Sequence, residues 1–300
     1  MKKFESFNYK TYLNKFGLNF DKIASGYLTS HKRENVVIPS GDKAFAVLVR
    51  KAWDKRILGA ETYSIEEIFI KTGLPNHKEV LSDLLDNVMA FAVKKKAELL
   101  TLRVNENKSE YADIFERYGF ITVDRLKTFL YEKGKNKIRN YHTTAGFAPK
   151  GSDYKDIVAL ARNSFKHSRI YRDKNIPKKR ADKFYEKLAG ALLKDGSNLK
   201  LIYKRENQLL GFAVGAKDDS LKGFIPGKIG FLWLITVDPK FRGQGLSAGI
   251  MSDFLSKFQD VVDLIEVNTQ NDNMPAVKLY ESLGLAKVGG IITMHCWRKK

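Results

Sequence analysis

The chain has 300 residues, 43% of them hydrophobic, enough for two modest domains or one large one. Its one cysteine, Cys296, excludes an intrachain disulfide and a thiolate zinc site. No apolar run reaches the roughly 18 residues that cross a bilayer, and the opening residues carry no signal-peptide stretch, so a cytoplasmic protein without a membrane partner is expected. Lys and Arg number 53 against 34 Asp and Glu, a net charge of +19. Such a field gathers anions, whether nucleic acid or polyanionic small molecules, and a solvated lysine-rich surface gives the same number.

Taken in chain order, residues 98–105 alternate as a strand, 109–120 form a short helix ending at Gly119, and 121–132 read as a long strand. Residues 133–153, rich in Gly, Lys and Asn and without periodicity, read as a link. Next come a helix over 153–165, a charged stretch over 166–180 and a helix over 181–194. Strands over 198–205 and 208–217 flank a turn at Glu206-Asn207, and a strand over 228–237 runs through a Pro and Gly turn into a helix over 246–259. A strand over 263–270, a helix over 274–285 and closing strands over 286–299 complete the chain. The ends of the two halves echo each other at an offset of 165 residues, which aligns Phe115-Glu116 with Tyr280-Glu281 and Gly119 with Gly284. The mixture of hairpins and strand–helix–strand units predicts an α/β fold (mixed α+β), a mixed sheet with helices on both faces, in domains of residues 1–140 and 141–300.

The densest chemistry lies between Leu234 and Ser247. Pro239 ends the strand, Gly243 and Gly245 allow a sharp turn, and a helix opens at Leu246. The first-turn amides of a helix have no intrahelical acceptor and, with the helix dipole, cradle an anion. Arg242 adds a fixed charge with several donors.

The run Val237-x-Pro239-x-Phe241-Arg242-Gly243-x-Gly245-Leu246 resembles the pyrophosphate loop of the GNAT superfamily of N-acetyltransferases, with Ser247 where that pattern has Gly or Ala. A second stretch, Asn273-x-x-Ala276-x-x-Leu279-Tyr280-Glu281-x-x-Gly284, resembles the same superfamily's following motif. The resemblance implies tandem GNAT-like halves, each a mainly antiparallel mixed sheet flanked by helices, the first half degenerate. It implies acetyl-CoA as co-substrate, no metal, and transfer to an amine through a tetrahedral intermediate. Ile235, Thr236, Val237, Arg242, Gly243, Gln244, Gly245, Leu246, Ser247, Asn268 and Asn273 would bind the coenzyme. A main-chain N–H near Thr236 or Val237 would meet the thioester oxygen, and Tyr280 would protonate the departing thiolate. The alternative for Asn273 is a helix cap, and for Tyr280 a core residue. In the first half Phe115 has no proton to give, and nothing near Gly73 reproduces Arg-Gly-x-Gly. Glu266 and His295 are candidate bases, alongside ordered water.

Phe165, Ser168, Arg169 and Tyr171 lie where the superfamily gathers acceptor-binding residues, and basic plus aromatic side chains suit a nucleotide diphosphate. With Trp53-Asp54, Leu58-Gly59, Phe115-Glu116-x-x-Gly119-Phe120 and Tyr185, the layout resembles the TDP-fucosamine acetyltransferases, which implies a nucleotide-linked amino sugar as acceptor. A protein or peptide amine is the rival acceptor, and a non-catalytic acyl-CoA- or nucleic-acid-binding module the rival class; a homodimer is left open. The first forty residues match nothing in that layout.

Overall fold

The computed structural model describes residues 4–29, 35–136, 138, 141, 146–219, 222–225 and 227–298. The cut expected after residue 140, and much of the link around it (137, 139–140 and 142–145), lie outside the described residues. The chain forms two compact units, one of residues 1–126, 172–176 and 289–300, the other of residues 127–171 and 177–288. This differs from a single cut at 140 in residues 127–140, which count with the second unit, and in residues 172–176 and 289–300, which count with the first. A strand is placed by its ladder partner rather than by its neighbours in sequence, and two long strands each contribute to both units.

In the first unit the elements are β1 (Phe4–Ser6), α1 (Phe20–Thr29), β2 (Asn35–Ser40), β3 (Ala44–Arg50), α2 (Ala52–Leu58), β4 (Thr62–Lys71), α3 (His77–Lys94), β5 (Leu99–Asn105) and α4 (Ala112–Arg117). β6 (Ile121–Glu132) begins in this unit and ends in the second. The second unit continues with α5 (Tyr154–Ser164), α6 (Arg169–Arg172, whose last residue counts with the first unit), α7 (Lys178–Lys194), β7 (Leu199–Arg205), β8 (Gln208–Lys217) and β9 (Ile229–Val237). It closes with α8 (Leu246–Phe258), β10 (Leu264–Gln270) and α9 (Met274–Ser282), and β11 (Ala286–Trp297) returns the chain to the first unit.

The expected elements of the second half form within a few residues of their predicted bounds. The turn between β7 and β8 puts Glu206 and Asn207 at φ 48° and 66°, the paired positive values of a two-residue hairpin turn. The helix expected over 109–120 starts late. Residues Glu106–Tyr111 wind as a 3-10 turn instead, because the Asn105 side chain accepts from the Asn107 amide at 3.0 Å and caps the chain locally. The internal echo survives as geometry. Phe120 N donates to Phe115 O at 3.0 Å and Leu285 N to Tyr280 O at 3.1 Å, so each helix ends in the same six-to-one closure over a glycine.

Each unit has a sheet of mixed sense. In the first, β2, β3 and β4 run antiparallel, β4 pairs with β5 in parallel, and β5 pairs antiparallel with Ile291–Trp297 of β11. In the second, β7, β8 and β9 run antiparallel and β9 pairs with β10 in parallel. α8 lays Ile250, Met251, Phe254, Leu255 and Phe258 on one sheet face, in a cluster that also takes Leu232, Val237, Ile265, Val267 and Tyr280. α5 packs on β8, and the buried Ile157, Leu160 and Ala161 of α5 and Phe184, Tyr185 and Ala189 of α7 stand outside that cluster. These two helices therefore cover the opposite face.

Candidate active site

The site of the second unit is built where two parallel strands part. β9 and β10 hold register only at Leu264↔Ile229, Ile265↔Gly230 and Glu266↔Phe231. Beyond Phe231, β9 stays with β8 as far as Gly211↔Val237, leaving its other edge unpaired among the described residues. Backbone alternation says which groups face that edge. Asp238 N donates to Leu210 O at 2.8 Å, so the polar groups of residues 238 and 236 point to β8 and those of 237 and 235 point away. The Val237 carbonyl obeys this, accepting from Arg242 Nε at 3.4 Å. Of the two amides expected near the reacting oxygen, that of Val237 faces the gap, with that of Ile235 beside it, while that of Thr236 belongs to the ladder with Phe212.

At the end of β9 the Asp238 side chain accepts from the Lys240 amide at 2.9 Å and Phe241 N bonds Asp238 O at 2.9 Å, closing a short 3-10 turn over Pro239–Phe241. Gly243 and Gly245 follow at φ 79° and 74°, and a methyl group on either would meet no atom within 4 Å. Glycine is required by the left-handed backbone, not by crowding. Among the described residues none accepts a hydrogen bond from the amides of Gly243, Gln244, Gly245, Leu246 or Ser247, and the first to find one is Ala248, on Gly245 O at 3.1 Å. Five consecutive amides at the head of a helix, beside Arg242, make a cradle that fits a diphosphate. The gap between β9 and β10 fits the narrow arm that follows it in an acyl-CoA.

Asn273 is the N-cap of α9. Its Oδ1 accepts from Ala276 N at 3.5 Å and its Nδ2 donates to Thr269 Oγ1 at 3.0 Å, the capping alternative. Asn268 Nδ2 donates to Glu266 Oε1 at 2.7 Å, while Asn268 Oδ1 is buried with no partner. Tyr280, in the last turn of α9, is 4% exposed, and burial pushes its hydroxyl well above the usual phenol range. It keeps its proton at neutral pH and is available as a donor.

The two candidate bases separate. Glu266 lies on β10 at the point of parting, almost wholly buried. His295 belongs to the first unit, fully buried, with its Nδ1 2.6 Å from Asp173 Oδ2. Trp297 Nε1 donates to the same oxygen at 2.7 Å. Burial alone would raise the Asp173 carboxyl, but these two partners outweigh it and hold it below the ordinary range. His295 is thus the satisfied core histidine, tying residues 172–176 to β11.

The segment from Phe165 to Tyr171 makes an aromatic tier. Phe165 stacks on Tyr185 at 5.1 Å between ring centroids, and Tyr171 lies on the same ring at 6.0 Å. Tyr171 donates to Asp182 Oδ1 at 2.5 Å, where Lys166 Nζ also binds at 2.8 Å. Lys166 first and Tyr171 second hold Asp182 at about 2. Ser168 Oγ is buried with no partner, and Arg169 lies over the Phe184 ring at 6.0 Å. Asp182 carried no signal in the sequence.

Trp233 was also missed. Val214 pairs with Leu234 and Gly215 with Leu232, so Trp233 is an extra residue in β9, a bulge. Its ring is 47% exposed and meets Phe231 edge-on at 5.1 Å. Leu232 joins the α8 cluster, so Phe231 stands on the opposite face, the one that α5 and α7 cover, and the Trp233 ring lies against it. A tryptophan within an aliphatic strand was the available sequence cue.

A parted parallel strand pair leads into a free-amide helix cradle, with a buried phenol on the next helix, an arrangement that could hold an acyl-CoA. Residues 158–285 match the model of the acetyltransferase (GNAT) family. Spore coat polysaccharide biosynthesis protein SpsD of Bacillus subtilis (strain 168) is 23% identical over 154 residues, 51% of this chain and 50% of that protein. The chain thus spans about half the length of the curated relative it matches. Two solved structures share the whole fold. A GCN5-related N-acetyltransferase from Sphaerobacter thermophilus superposes with TM-score 0.61 at 10% identity, over 98% of this chain and 95% of that one. A tandem GNAT protein from the clavulanic acid biosynthesis pathway does so with TM-score 0.55 at 12% identity, over 100% and 99%.

Proposed function

We propose that this chain transfers an acetyl group from acetyl-CoA to the primary amine of a nucleotide-linked amino sugar, with the second unit as the catalytic one. The observation that carries the reading is the open edge of β9 running into five free amides at the head of α8. Acetyl-CoA supplies the activated acyl group. Gly243 to Ser247 and Arg242 hold its diphosphate, Val237 N–H stabilises the oxyanion as the amine attacks, and Tyr280 gives the proton that the leaving thiolate takes. Asn273 caps its helix and contributes to the coenzyme site by orienting α9. Glu266 is the nearer of the two bases by chain position, at the root of the same gap.

The acceptor side follows from the two faces of the sheet. The carrier's diphosphate sits at the head of α8, so an acyl group threaded between β9 and β10 is presented to the opposite face. Trp233, the Phe165–Tyr185–Tyr171 tier, Arg169 and the orphan hydroxyl of Ser168 belong to that side. Aromatic faces stack a base or the C–H face of a sugar, and guanidinium meets phosphate. The polysaccharide role in the name of SpsD points the same way. The test is a panel of amines with acetyl-CoA, containing nucleotide-linked amino sugars, free amino sugars and peptides. Turnover of the nucleotide-linked members is expected, and acetylation confined to peptides would overturn the acceptor assignment.

A further inference from the structure

The first unit has a parting of its own, and the chain itself fills it. β4 and β5 hold parallel register from Thr62↔Leu99 to Ile65↔Leu102 and then diverge. β3 occupies the other edge of β4 along its length, from Arg50↔Tyr63 to Ala44↔Ile70. β1 therefore lies on the freed edge, antiparallel, as Phe4↔Lys71, Glu5↔Ile70 and Ser6↔Phe69. Phe7 then bridges both arms. Its amide donates to Ile68 O at 3.1 Å, and its carbonyl accepts from Asn105 N at 3.0 Å.

Side chains close the site as thoroughly. Phe7 is 1% exposed, its ring 5.0 Å from Tyr111 and 6.5 Å from Phe115. Lys108, buried, lies 5.0 Å over the Phe7 ring and pairs with Glu5. Asn8 N bonds Ser6 Oγ at 2.9 Å, and Asn8 Nδ2 donates to Glu67 Oε1 at 2.5 Å. Glu67 sits beside the bulge of β4, where Val47 pairs with Glu67 and Leu48 with Ile65, and its second oxygen is buried without a partner. In the second unit the corresponding bulge carries Trp233, and among the described residues no segment enters the gap.

We propose that the parted strands of the first unit form a site for an extended peptide strand, filled in cis by residues 4–8, so that this unit takes no acyl carrier and the chain binds one coenzyme. A peptide fits because both arms are met by main-chain donors and acceptors and the side-chain slots are specific: an aromatic at 7 and an amide at 8. The stoichiometry rests on the carrier reading of the second unit; the strand site does not.

The test is complementation. A chain lacking residues 1–8 is titrated with a labelled synthetic peptide of residues 1–12, with its fold checked by circular dichroism. Saturable one-to-one binding is expected, weakened at least tenfold by Phe7→Ala in the peptide. A folded truncated chain that ignores the peptide, or binds both peptides alike, overturns the proposal. Should the truncated chain not fold, hydrogen exchange on the full chain decides. Phe7 and Asn105 amides are expected to exchange as slowly as the interior of β4, and exchange at free-chain rates overturns the site. Calorimetry of the full chain with coenzyme A is expected to give one site, and two would overturn the closure. No binding at all would sink the carrier reading of the second unit and leave the strand site to the peptide titration.

Discussion

The ring of Phe129, on β6, meets that of Tyr280 edge-on, with centroids 5.4 Å apart and planes at 65°. The contact fixes the phenol within the apolar cluster under α8, and the same burial keeps its proton in place. A phenol so placed stays protonated and can donate a hydrogen bond.

Tyr280→Phe keeps the ring contact and removes the proton. The turnover number is expected to fall roughly 10²- to 10⁴-fold with coenzyme affinity unchanged. Steady-state kinetics beside calorimetry separates the two, and undiminished turnover would leave protonation to water.

Gly245→Ala tests the cradle. No atom opposes the added methyl, so the substitution acts only through the left-handed backbone at φ 74°. An alanine there costs roughly 1–2 kcal/mol, which turns the amides away from the diphosphate. Coenzyme A is expected to bind about tenfold more weakly, and an unchanged dissociation constant would show that these amides do not hold it.

Trp233→Ala should raise KM for a nucleotide-linked acceptor and leave KM for acetyl-CoA alone. Loss of base stacking is worth about 1–3 kcal/mol, so a rise of tenfold or more is expected. Equal changes in both constants would mean that the ring supports β9 rather than the acceptor.

Glu67 makes stability depend on pH. Burial, with some help from Glu66, pushes its carboxyl up to about 8, against the opposing pull of Asn8, Lys10 and Ser6. The unfolded chain releases this proton near 4.5 and the folded chain near 8, so this group's contribution is full below the first value. It is lost progressively as pH rises to the second. Melting curves from pH 5 to 9 should show Glu67→Gln flattening that decline, and parallel curves for the two proteins would refute the assignment.

What was legible in the sequence was local. The loop from Arg242 to Ser247 could be read because a left-handed backbone demands glycine at set places, and the hairpin at Glu206-Asn207 because turn chemistry is short-ranged. The matching closures at Phe115–Phe120 and Tyr280–Leu285 were visible as a repeat for the same reason. What stayed hidden depends on partners far along the chain. Asp173 and His295 stand 122 residues apart, Asn8 and Glu67 59 apart, and the bulge at Trp233 exists only relative to β8. Composition carries no trace of such pairings. The opening residues looked featureless because their role is supplied by the cleft that receives them.

Residues 289–298 complete the sheet of the first unit through the ladder of β11 on β5. On the ribosome, the half that emerges earliest is therefore the half that must wait longest for its final strand. Until then β5 offers a bare edge to any passing chain, and a premature stop just before Gly290 would injure the first unit first, leaving the loop of residues 242–247 intact in sequence.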